Sequence, residues 1–299
     1  MPYTDIHLSL TSNEPTVLFP GQRLVPPEWE AIIGELRQAI AAQPECKLVE
    51  VCQLRFRAQR MRGDRYALRR LREEPPQLAT LGLPAGVQKL LLESALKSSG
   101  GLVLISGLTG AGKTTTMSAT IVGRLQLHGG YCLSIEDPPE DRLEGFHGAH
   151  GYCEQIDADE IGGYQLAMHN ALRCFPAKEA SMLAFGEVRD NESAAELLRI
   201  AVDGHLVLTT LHARTIQTAL QRIVSLAQAA GELGAADLLA DSIQLVLHQR
   251  FDHKGMLCTT VLKPENQALA MMRRAEFAAL VNEIERSNAR FIAKRHVQE

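Results

Sequence analysis

The sequence predicts an α/β protein with two domains, a smaller one over residues 1–76 and a larger one over 77–299. The length of 299 residues suits two domains of ordinary size. After residue 100, short apolar runs alternate with helical segments, a pattern typical of a largely parallel sheet. Before that, a stretch rich in proline and glycine separates this pattern from an N-terminal helix and hairpin.

The N-terminal domain is expected to contain one helix and one β-hairpin. Residues 28–42 carry apolar side chains at helical spacing. From Lys47 apolar residues alternate with polar ones. The alternation stops at a predicted turn at 63–64 and continues after it, which is typical of a hairpin. The apolar residues of its first half are Leu48, Cys52, Leu54 and Phe56. Residues 73–86 predict a linker because their prolines and glycines interrupt helices and strands.

The C-terminal domain contains apolar runs of strand length separated by helical segments. A helix is expected over 113–127, and the last thirty residues also read as helix with charges interspersed. The predicted strands cover 101–106, 131–135, 182–185 and 206–209. Strands that are connected through helices are expected to lie parallel in one sheet.

Composition indicates an ordinary globular chain and excludes several classes. The chain is 45% apolar and 22% charged, with a net charge of −4, which argues against a protein that binds DNA over its whole surface. No apolar run approaches about 18 residues and no signal peptide is evident, so a cytoplasmic protein is expected. The six cysteines form no C-x-x-C pair, which disfavours a zinc ribbon or a disulfide framework.

A glycine-rich loop at 107–114 matches the pattern G-x-x-x-x-G-K-[ST] without a mismatch. An apolar strand enters the loop and a helix leaves it, so backbone N–H groups and a helix N-terminus would face one phosphate. Lys113 would reach the β- and γ-phosphates of ATP, and Thr114 would bind Mg²⁺. A turn that merely connects strand and helix is the weaker interpretation. The predicted nucleotide-binding residues are Gly107, Leu108, Thr109, Gly110, Ala111, Gly112, Lys113, Thr114 and Thr115.

Acidic residues close the next two apolar runs. Glu136 ends one of them and could orient or deprotonate the water that attacks ATP, with Asp137 assisting. Taken alone, that segment is explained equally well as a polar strand end before a proline turn. Glu187 follows the other run and would hold Mg²⁺ together with Thr114, whereas a solvated glutamate after a buried strand is the alternative.

Two histidines, His205 and His212, flank the last of the four apolar runs. Their separation along one strand does not suit two zinc ligands. Considered together, the two histidines are better explained as sensors of the nucleotide state. Taken singly, each is more often a hydrogen-bonded structural histidine.

In order, these four segments resemble the secretion-superfamily ATPases. They are the phosphate loop, I-E-D-P-x-E from Ile135, G-E-x-R-D from Gly186 and G-H-L-V-x-x-T-L-H from Gly204. The family calls them the Walker A, Asp, Walker B and His boxes, and it includes PilT-type, GspE-type and type IV secretion motors. Four boxes in order are far more specific than any one of them, and the resemblance runs from about Leu48 to the end.

The resemblance implies a PAS-like α/β fold for the N-terminal domain and a RecA-like P-loop ATPase fold for the C-terminal domain. It also implies a homohexameric ring that binds ATP and Mg²⁺ between the domains. By matching position, Glu136 would be the catalytic glutamate and Glu187 the Walker B acid. His205 and His212 would be the two residues of the His box.

The predicted hairpin is dense in arginine. Between residues 51 and 75 lie Arg55, Arg57, Arg60, Arg62, Arg65, Arg69, Arg70 and Arg72. They would form a solvated sheet face, a local nucleic-acid patch, or arginine fingers that stabilise charge on the γ-phosphate. Residues 63–71 are similar to the family's G-E-R-x-x-x-R-L-L segment. Arg55, Arg65 and Arg69 are therefore the expected catalytic arginines, with Arg70 as the alternative to Arg69.

The chain departs from parts of the family pattern. It lacks the four-cysteine zinc module of GspE-type and pilus-extension motors, which moves the resemblance toward PilT-type and type IV secretion members. The C-terminal A-I-R-E-like box of the retraction motors is reproduced only loosely at 270–274. The segment 143–159 makes the stretch between the Asp and Walker B boxes longer than in PilT-type motors and similar to DotB-like motors. A zinc site formed there by His147, His150 and Cys153 would lack a fourth ligand.

Together these features predict a cytoplasmic ATPase that converts ATP hydrolysis into mechanical work for a type IV pilus, a type II or type IV secretion system, or a conjugation machine. The expected partners are further copies in a homohexamer and an inner-membrane platform protein, through which the ring would associate with the membrane. Direct DNA binding is not expected. The alternatives are a RecA-like motor that translocates DNA and a nucleotide-binding regulator with low turnover.

Overall fold

The computed structural model describes residues 3–11, 15–21, 24–94, 100–177 and 179–292. The chain divides into two compact units, one of residues 1–74 with 140–142 and the other of 75–139 with 143–299. The domain boundary predicted after residue 76 stays a prediction. In the described ranges, no helix is both long enough and apolar enough to cross a membrane.

The first unit consists of a sheet and one long helix. Its elements are β1 (Asp5–Ser9), β2 (Val17–Phe19), α1 (Pro27–Ala42), β3 (Leu48–Val51), β4 (Leu54–Arg62) and β5 (Arg65–Arg70). The strands lie antiparallel in the order β2-β1-β5-β4-β3. The predicted helix and the hairpin with its turn at 63–64 are confirmed, while β1 and β2 lie in a stretch for which the sequence predicted no strand.

Periodicity explains this core. Helix α1 buries Trp29, Ile33, Leu36 and Ile40, which lie three or four residues apart and therefore share one face. In β4, Leu54, Phe56 and Ala58 are buried and pack in the same cluster as that face. Cys52 was wrongly predicted within a strand. It lies exposed in the tight turn between β3 and β4, with a left-handed φ of 50°.

The second unit is a sheet covered by helices on both faces. Its strands are β6 (Gly101–Gly107), β7 (Gly130–Glu136), β8 (Gly145–His147), β9 (Gly151–Asp157), β10 (Ser181–Phe185), β11 (Leu206–His212), β12 (Ile243–Phe251) and β13 (Leu257–Leu262). Its α-helices are α2 (Ala85–Leu91), α3 (Lys113–His128), α4 (Tyr164–Cys174), α5 (Asn191–Val202), α6 (Ile216–Ala229), α7 (Ala235–Ser242), α8 (Asn266–Arg273) and α9 (Val281–Phe291). Short 3₁₀ turns cover Leu78–Thr80 and Phe277–Leu280.

The strand order of this sheet is β13-β12-β6-β11-β10-β7-β9-β8, parallel from β12 to β9 and antiparallel at both edges. Alternate residues of β6 enter different cores. Leu102 and Leu104 pack with α5, α6 and α7, whereas Val103 and Ile105 pack with α2 and α3. A strand buried on both faces must be apolar throughout, which is why it appears as a continuous run in the sequence.

The four predicted strands and the helix after the first of them are confirmed. The predicted linker is wrong at its C-terminal end, because Gly86 lies inside α2 and closely approaches the backbone of Phe291. The C-terminal segment is helical but interrupted at Ala275, which has a φ of 55°. Residues 293–299 of that prediction lie outside the described residues.

Candidate functional site

The glycine-rich loop lies between the end of β6 and the start of α3. Gly107 is the last residue of β6, and Lys113 is the first of α3. Gly110 and Gly112 have φ values of 76° and 79°, a left-handed conformation that glycine adopts without steric cost. Because Gly112 at the N-cap has no side chain, the first N–H groups of α3 stay open to an anionic ligand.

Two hydrogen bonds hold the loop within the second unit. Lys113 Nζ donates to the carbonyl oxygen of Leu108 at 3.2 Å, and Gln249 Nε2 donates to that of Ala111 at 2.6 Å. Gln249 belongs to β12, and its own carbonyl oxygen would collide with a Cβ on Gly107. The strand beside β6 therefore sets the loop conformation, and glycine is required at position 107.

A chain of polar side chains connects the loop to the ends of β10 and β11. Lys113 Nζ lies 3.4 Å from His212 Nδ1, and His212 Nε2 lies 2.9 Å from Glu187 Oε1. The other oxygen of Glu187 accepts a hydrogen bond from Arg189 Nε at 2.9 Å. A lysine ammonium group only donates, so His212 Nδ1 accepts and its Nε2–H donates to Glu187. The imidazole is then neutral.

The electrostatics agree with a neutral imidazole. Burial, together with the nearby charge of Lys113, lowers the pKa of His212 below its usual value, and Glu187 opposes this shift. Burial also lowers the pKa of Lys113, although Glu187 raises it again. Arg189 has a raised pKa because it donates to Glu187. Charged and polar side chains that are fixed beside the glycine-rich loop suit the binding of an anionic phosphate there.

Glu136 ends β7 and is almost fully buried, with 3% of its surface exposed. Its Oε1 accepts hydrogen bonds from Ser134 Oγ at 2.9 Å and from Gln155 Nε2 at 3.1 Å. Such bonds are needed because a buried carboxylate without partners is costly. A Cβ on Gly186 would lie 3.4 Å from Glu136 Cγ, so Glu136 lies beside the residue that precedes Glu187.

The segment 143–159 forms β8 and β9 and positions Glu136. Gln155 of β9 donates to Glu136 and accepts at its own Oε1 from the backbone N–H groups of Leu143 and Glu144. Within the described ranges, no three His, Cys, Asp or Glu side chains are grouped so that they could hold a metal ion. In particular, His147 Nε2 donates to the carbonyl oxygen of Leu143 at 2.7 Å.

Thr114 and Glu187 are the two residues expected to hold Mg²⁺. Thr114 is half-buried, and its hydroxyl makes no hydrogen bond with any described residue. Glu187 has a side chain that is 14% exposed and carboxylate oxygens that can accept more than one bond each. A hydroxyl and a carboxylate are oxygen ligands of the kind Mg²⁺ prefers when it also binds phosphates, so the residues fit this ion.

His205 lies at the other end of β11. It lies seven positions before His212, a rise of about 23 Å along a strand. Its ring stacks on Phe175 with a centroid distance of 4.8 Å, and its carbonyl oxygen accepts from Gly101 N. The structure brings His212 to the phosphate loop and does not bring His205 there, so a catalytic role for His205 stays a prediction.

The predicted catalytic arginines belong to the antiparallel sheet of the first unit. Arg57 and Arg69 are register partners on β4 and β5, so they share a face with Arg55, opposite the apolar core. Arg69 Nε contacts Asp5 Oδ1 at 2.8 Å, and Arg57 Nη1 contacts Glu140 Oε1 at 2.6 Å.

Arg65 lies at the start of β5, and Arg70 is the register partner of the buried Phe56. Arg70 thus points to the opposite face from Arg69, where its guanidinium contacts Glu73. This difference favours Arg69 in the choice left open by the sequence. The catalytic role of Arg55, Arg65 and Arg69 stays a prediction.

Sequence reasoning missed the residues that hold the motifs in position. Gln155 fixes Glu136 and Gln249 fixes the phosphate loop, but each reaches its partner from a different strand of the sheet. Neither lies at a recognisable spacing from a motif. Arg189 is the arginine of the G-E-x-R-D segment. Its positive charge, two residues after Glu187, was the one signal in the sequence that it pairs with this carboxylate.

These features describe a mixed α/β protein whose glycine-rich and acidic motifs meet at the carboxyl edge of a parallel sheet. Residues 48–295 match the family model described as "Type II/IV secretion system protein", and the chain belongs to this family. The resemblance to secretion-superfamily ATPases is thereby confirmed.

The chain is also similar to individual proteins and solved structures. The chain is 35% identical over 206 residues to the uncharacterized protein YggR of Escherichia coli, a match that covers 65% of this chain and 59% of YggR. The structure of the pilus retraction motor PilT with bound ADP superimposes with a TM-score of 0.73 at 24% identity, covering 99% of this chain and 91% of that one. The ATPase DotB of Legionella pneumophila gives 0.71 at 20% identity, covering 95% and 84%. At these identities the two structures show the shared fold alone.

Proposed function

We propose that this chain is a ring-forming ATPase that converts ATP hydrolysis into mechanical work for a type IV pilus, a type II or type IV secretion system, or a conjugation machine. The observation that carries the proposal is the polar chain from Lys113 through His212 to Glu187, which connects a phosphate loop to an acid within a type II/IV secretion family fold. A loop that only connected a strand to a helix would not require these polar contacts.

Each residue has a distinct task in the proposed reaction. Lys113 and the N–H groups at the start of α3 bind the phosphates of ATP. Thr114 and Glu187 hold Mg²⁺, which supplies charge neutralisation at the phosphate oxygens when it is bound. Glu136 accepts a proton from the attacking water, and Ser134 and Gln155 keep its carboxylate in one orientation.

The proposed architecture follows the family. We propose that the N-terminal domain is PAS-like, that the C-terminal domain is a RecA-like P-loop ATPase domain, and that six copies form a ring. The ring would work in the cytoplasm and associate with the inner membrane through a platform protein of its machine. Direct DNA binding is not part of the proposal, because the chain is acidic as a whole.

The proposal assigns Arg55, Arg65 and Arg69 as arginine fingers that act across a domain or subunit boundary. A guanidinium remains charged and can bond two phosphate oxygens, and such fingers contribute roughly 10³–10⁵ in rate in other P-loop systems. The shared face of Arg55 and Arg69 supports a common target. Arg60, exposed near the hairpin tip and paired with Glu45, offers a matched Arg→Ala control.

Steady-state ATP hydrolysis by the purified full chain tests the proposed function. Wild type should hydrolyse ATP, and Glu136→Gln should lower kcat by about 10²–10⁴-fold because it removes the general base. Glu285→Gln, at an exposed position of the last helix, is the matched control and should leave kcat unchanged.

Three results would overturn parts of the proposal. Equal, slow hydrolysis by wild type and Glu136→Gln would favour a regulator with low turnover. Hydrolysis that DNA stimulates, with a steep salt dependence, would favour a DNA-translocating motor. Particles that stay monomeric with ATP in light scattering would exclude fingers that act between subunits.

A further inference from the structure

Tyr164 is a half-buried tyrosine at the hydrolytic site with no assigned task. It is the first residue of α4 and follows the β9 strand that fixes Glu136. The backbone N–H of Gly163 donates to the carbonyl oxygen of Ala158 at 2.7 Å, and Ala158 N donates to that of Glu136 at 2.8 Å. The connection between β9 and α4 therefore ties the position of Tyr164 to that of Glu136.

The phenol oxygen of Tyr164 borders the same space as the Glu136 side chain. A Cβ on Gly186 would lie 3.3 Å from Tyr164 Oη and 3.4 Å from Glu136 Cγ. Both side chains therefore approach Gly186 more closely than a residue with a Cβ would easily allow, and they lie near one another beside it. Because Gly186 directly precedes Glu187, the space also adjoins the acid proposed to hold Mg²⁺.

The surroundings keep the phenol protonated. Burial is the largest cause of a strongly raised pKa for Tyr164, and the nearby carboxylates of Asp137, Glu136 and Glu187 add to it, while Arg189 opposes them. A protonated phenol carries one O–H donor and two acceptor lone pairs. Among the described residues, no hydrogen bond involves this hydroxyl, so its donor is available to a ligand.

We propose that the Tyr164 hydroxyl donates a hydrogen bond to the attacking water and holds it against Glu136. The water donates one of its own O–H groups to the Glu136 carboxylate and keeps a lone pair for the phosphorus atom. Tyr164 transfers no proton in this arrangement, and Glu136 alone accepts one. The inference rests on the proposed ATPase function and adds a catalytic residue to it.

The aromatic ring of Tyr164 also packs against the core, and its hydroxyl takes no part in that contact. The Tyr164 ring lies 4.8 Å from the ring of Phe185, centroid to centroid, and a phenylalanine would keep that contact. Tyr164→Phe thus removes the hydroxyl and leaves the packing. Tyr131 and Tyr152, which stack on each other at the opposite end of β7 and β9, give matched Tyr→Phe controls.

The test measures kcat and KM for ATP in the full chain, together with ADP affinity by calorimetry. Tyr164→Phe should lower kcat by about 10–100-fold, the value expected for one hydrogen bond at a reacting group. KM, ADP affinity and the unfolding midpoint should change little. Tyr131→Phe and Tyr152→Phe should keep wild-type kcat.

The double variant Glu136→Gln/Tyr164→Phe adds a second readout. Two residues that act on one water should not add, so the second change should lower kcat by less than about twofold below Glu136→Gln alone. If Tyr164→Phe keeps wild-type kcat while Glu136→Gln is inactive, the proposed function stands and this inference is wrong. If Tyr164→Phe lowers the unfolding midpoint and ADP affinity as much as kcat, the role is structural and the inference is also wrong. Equal activity of wild type and Glu136→Gln removes both proposals.

Discussion

The two ends of β11 carry one histidine each, and their surroundings differ in kind. At the carboxyl end, His212 lies between Lys113 and Glu187, in a chain of polar groups beside the phosphate loop. At the amino end, His205 stacks on Phe175, which in turn packs edge-to-face on Tyr131. One motif therefore contributes a polar residue to the candidate site and an aromatic contact to the opposite edge.

The difference shows how the topology of a parallel sheet assigns tasks. Loops that follow parallel strands meet at the carboxyl edge, where backbone N–H groups and polar side chains face the crevice. Residues at the amino edge are available for packing instead. Motif spacing alone does not reveal this, because both histidines are in the same short run of sequence.

The largest effect is expected at the carboxyl edge from Lys113→Ala. This substitution removes the amine that lies against Leu108 and His212, and with it the positive charge proposed to bind the phosphates of ATP. Loss of one such electrostatic group costs about 10²–10³-fold, which should appear in kcat/KM for ATP. Lys254→Ala, exposed in the turn after β12, is the control, and an equal loss there would break the assignment.

A smaller effect on activity should separate the two histidines. His212→Ala removes the partner of Glu187, the carboxylate proposed to hold Mg²⁺, and loss of a residue that orients such a carboxylate costs about 10–100-fold in activity. His205→Ala should stay within about threefold of wild-type kcat. An equal loss in both variants would contradict the comparison and would support the His-box role that the resemblance implies for His205.

Much of the second unit could be predicted because its strands are continuous apolar runs, buried on both faces. Four of its strands, β8, β9, β12 and β13, escaped prediction, and for β9 and β12 the physical reason is clear. β9 carries polar residues of intermediate burial, since only the short β8 follows it at the sheet edge. β12 begins at Ile243 directly after α7 ends at Ser242, so no turn residues mark the boundary.

The site was predictable where chemistry requires a fixed order of residue types. The phosphate loop, Glu136 and Glu187 follow such orders, and the structure brings the loop and Glu187 together through His212. Gln155 and Gln249 were not predictable, because their hydrogen bonds depend on which strands become neighbours in the folded sheet. The same holds for Tyr164, whose proposed task depends on its approach to Gly186 beside Glu136.

At the amino edge the expected effect is on stability. His205→Ala removes the ring that stacks on Phe175, and an aromatic pair contributes about 0.5–1.5 kcal/mol beyond the area it buries. Urea unfolding should show a loss of that size in the free energy of unfolding. His253→Ala, in the exposed turn between β12 and β13, should change it by less than about 0.5 kcal/mol. Equal stability of wild type and His205→Ala would show that the stacking contributes nothing.

The smallest effect is the pH dependence that His212 adds at the carboxyl edge. Its pKa is lowered in the folded chain, chiefly by burial, so below about pH 6.5 the unfolded chain binds a proton that the folded chain excludes. Stability should therefore fall as the pH decreases from 7.5 to 5.5. This decrease in the free energy of unfolding should be smaller than the decrease caused by His205→Ala, because solvent screens an imidazole that is 35% exposed.

Urea unfolding at both pH values, for wild type and His212→Asn, isolates this contribution. The substitution also removes interactions of the neutral ring, but that part is the same at either pH and cancels in the difference. His248, whose pKa burial also lowers, contributes equally to both proteins and cancels as well. Wild type should lose more stability on acidification than His212→Asn. Identical losses would mean that the imidazole between Lys113 and Glu187 is protonated as readily in the folded protein as in the unfolded one, and would contradict the neutral imidazole inferred from these contacts.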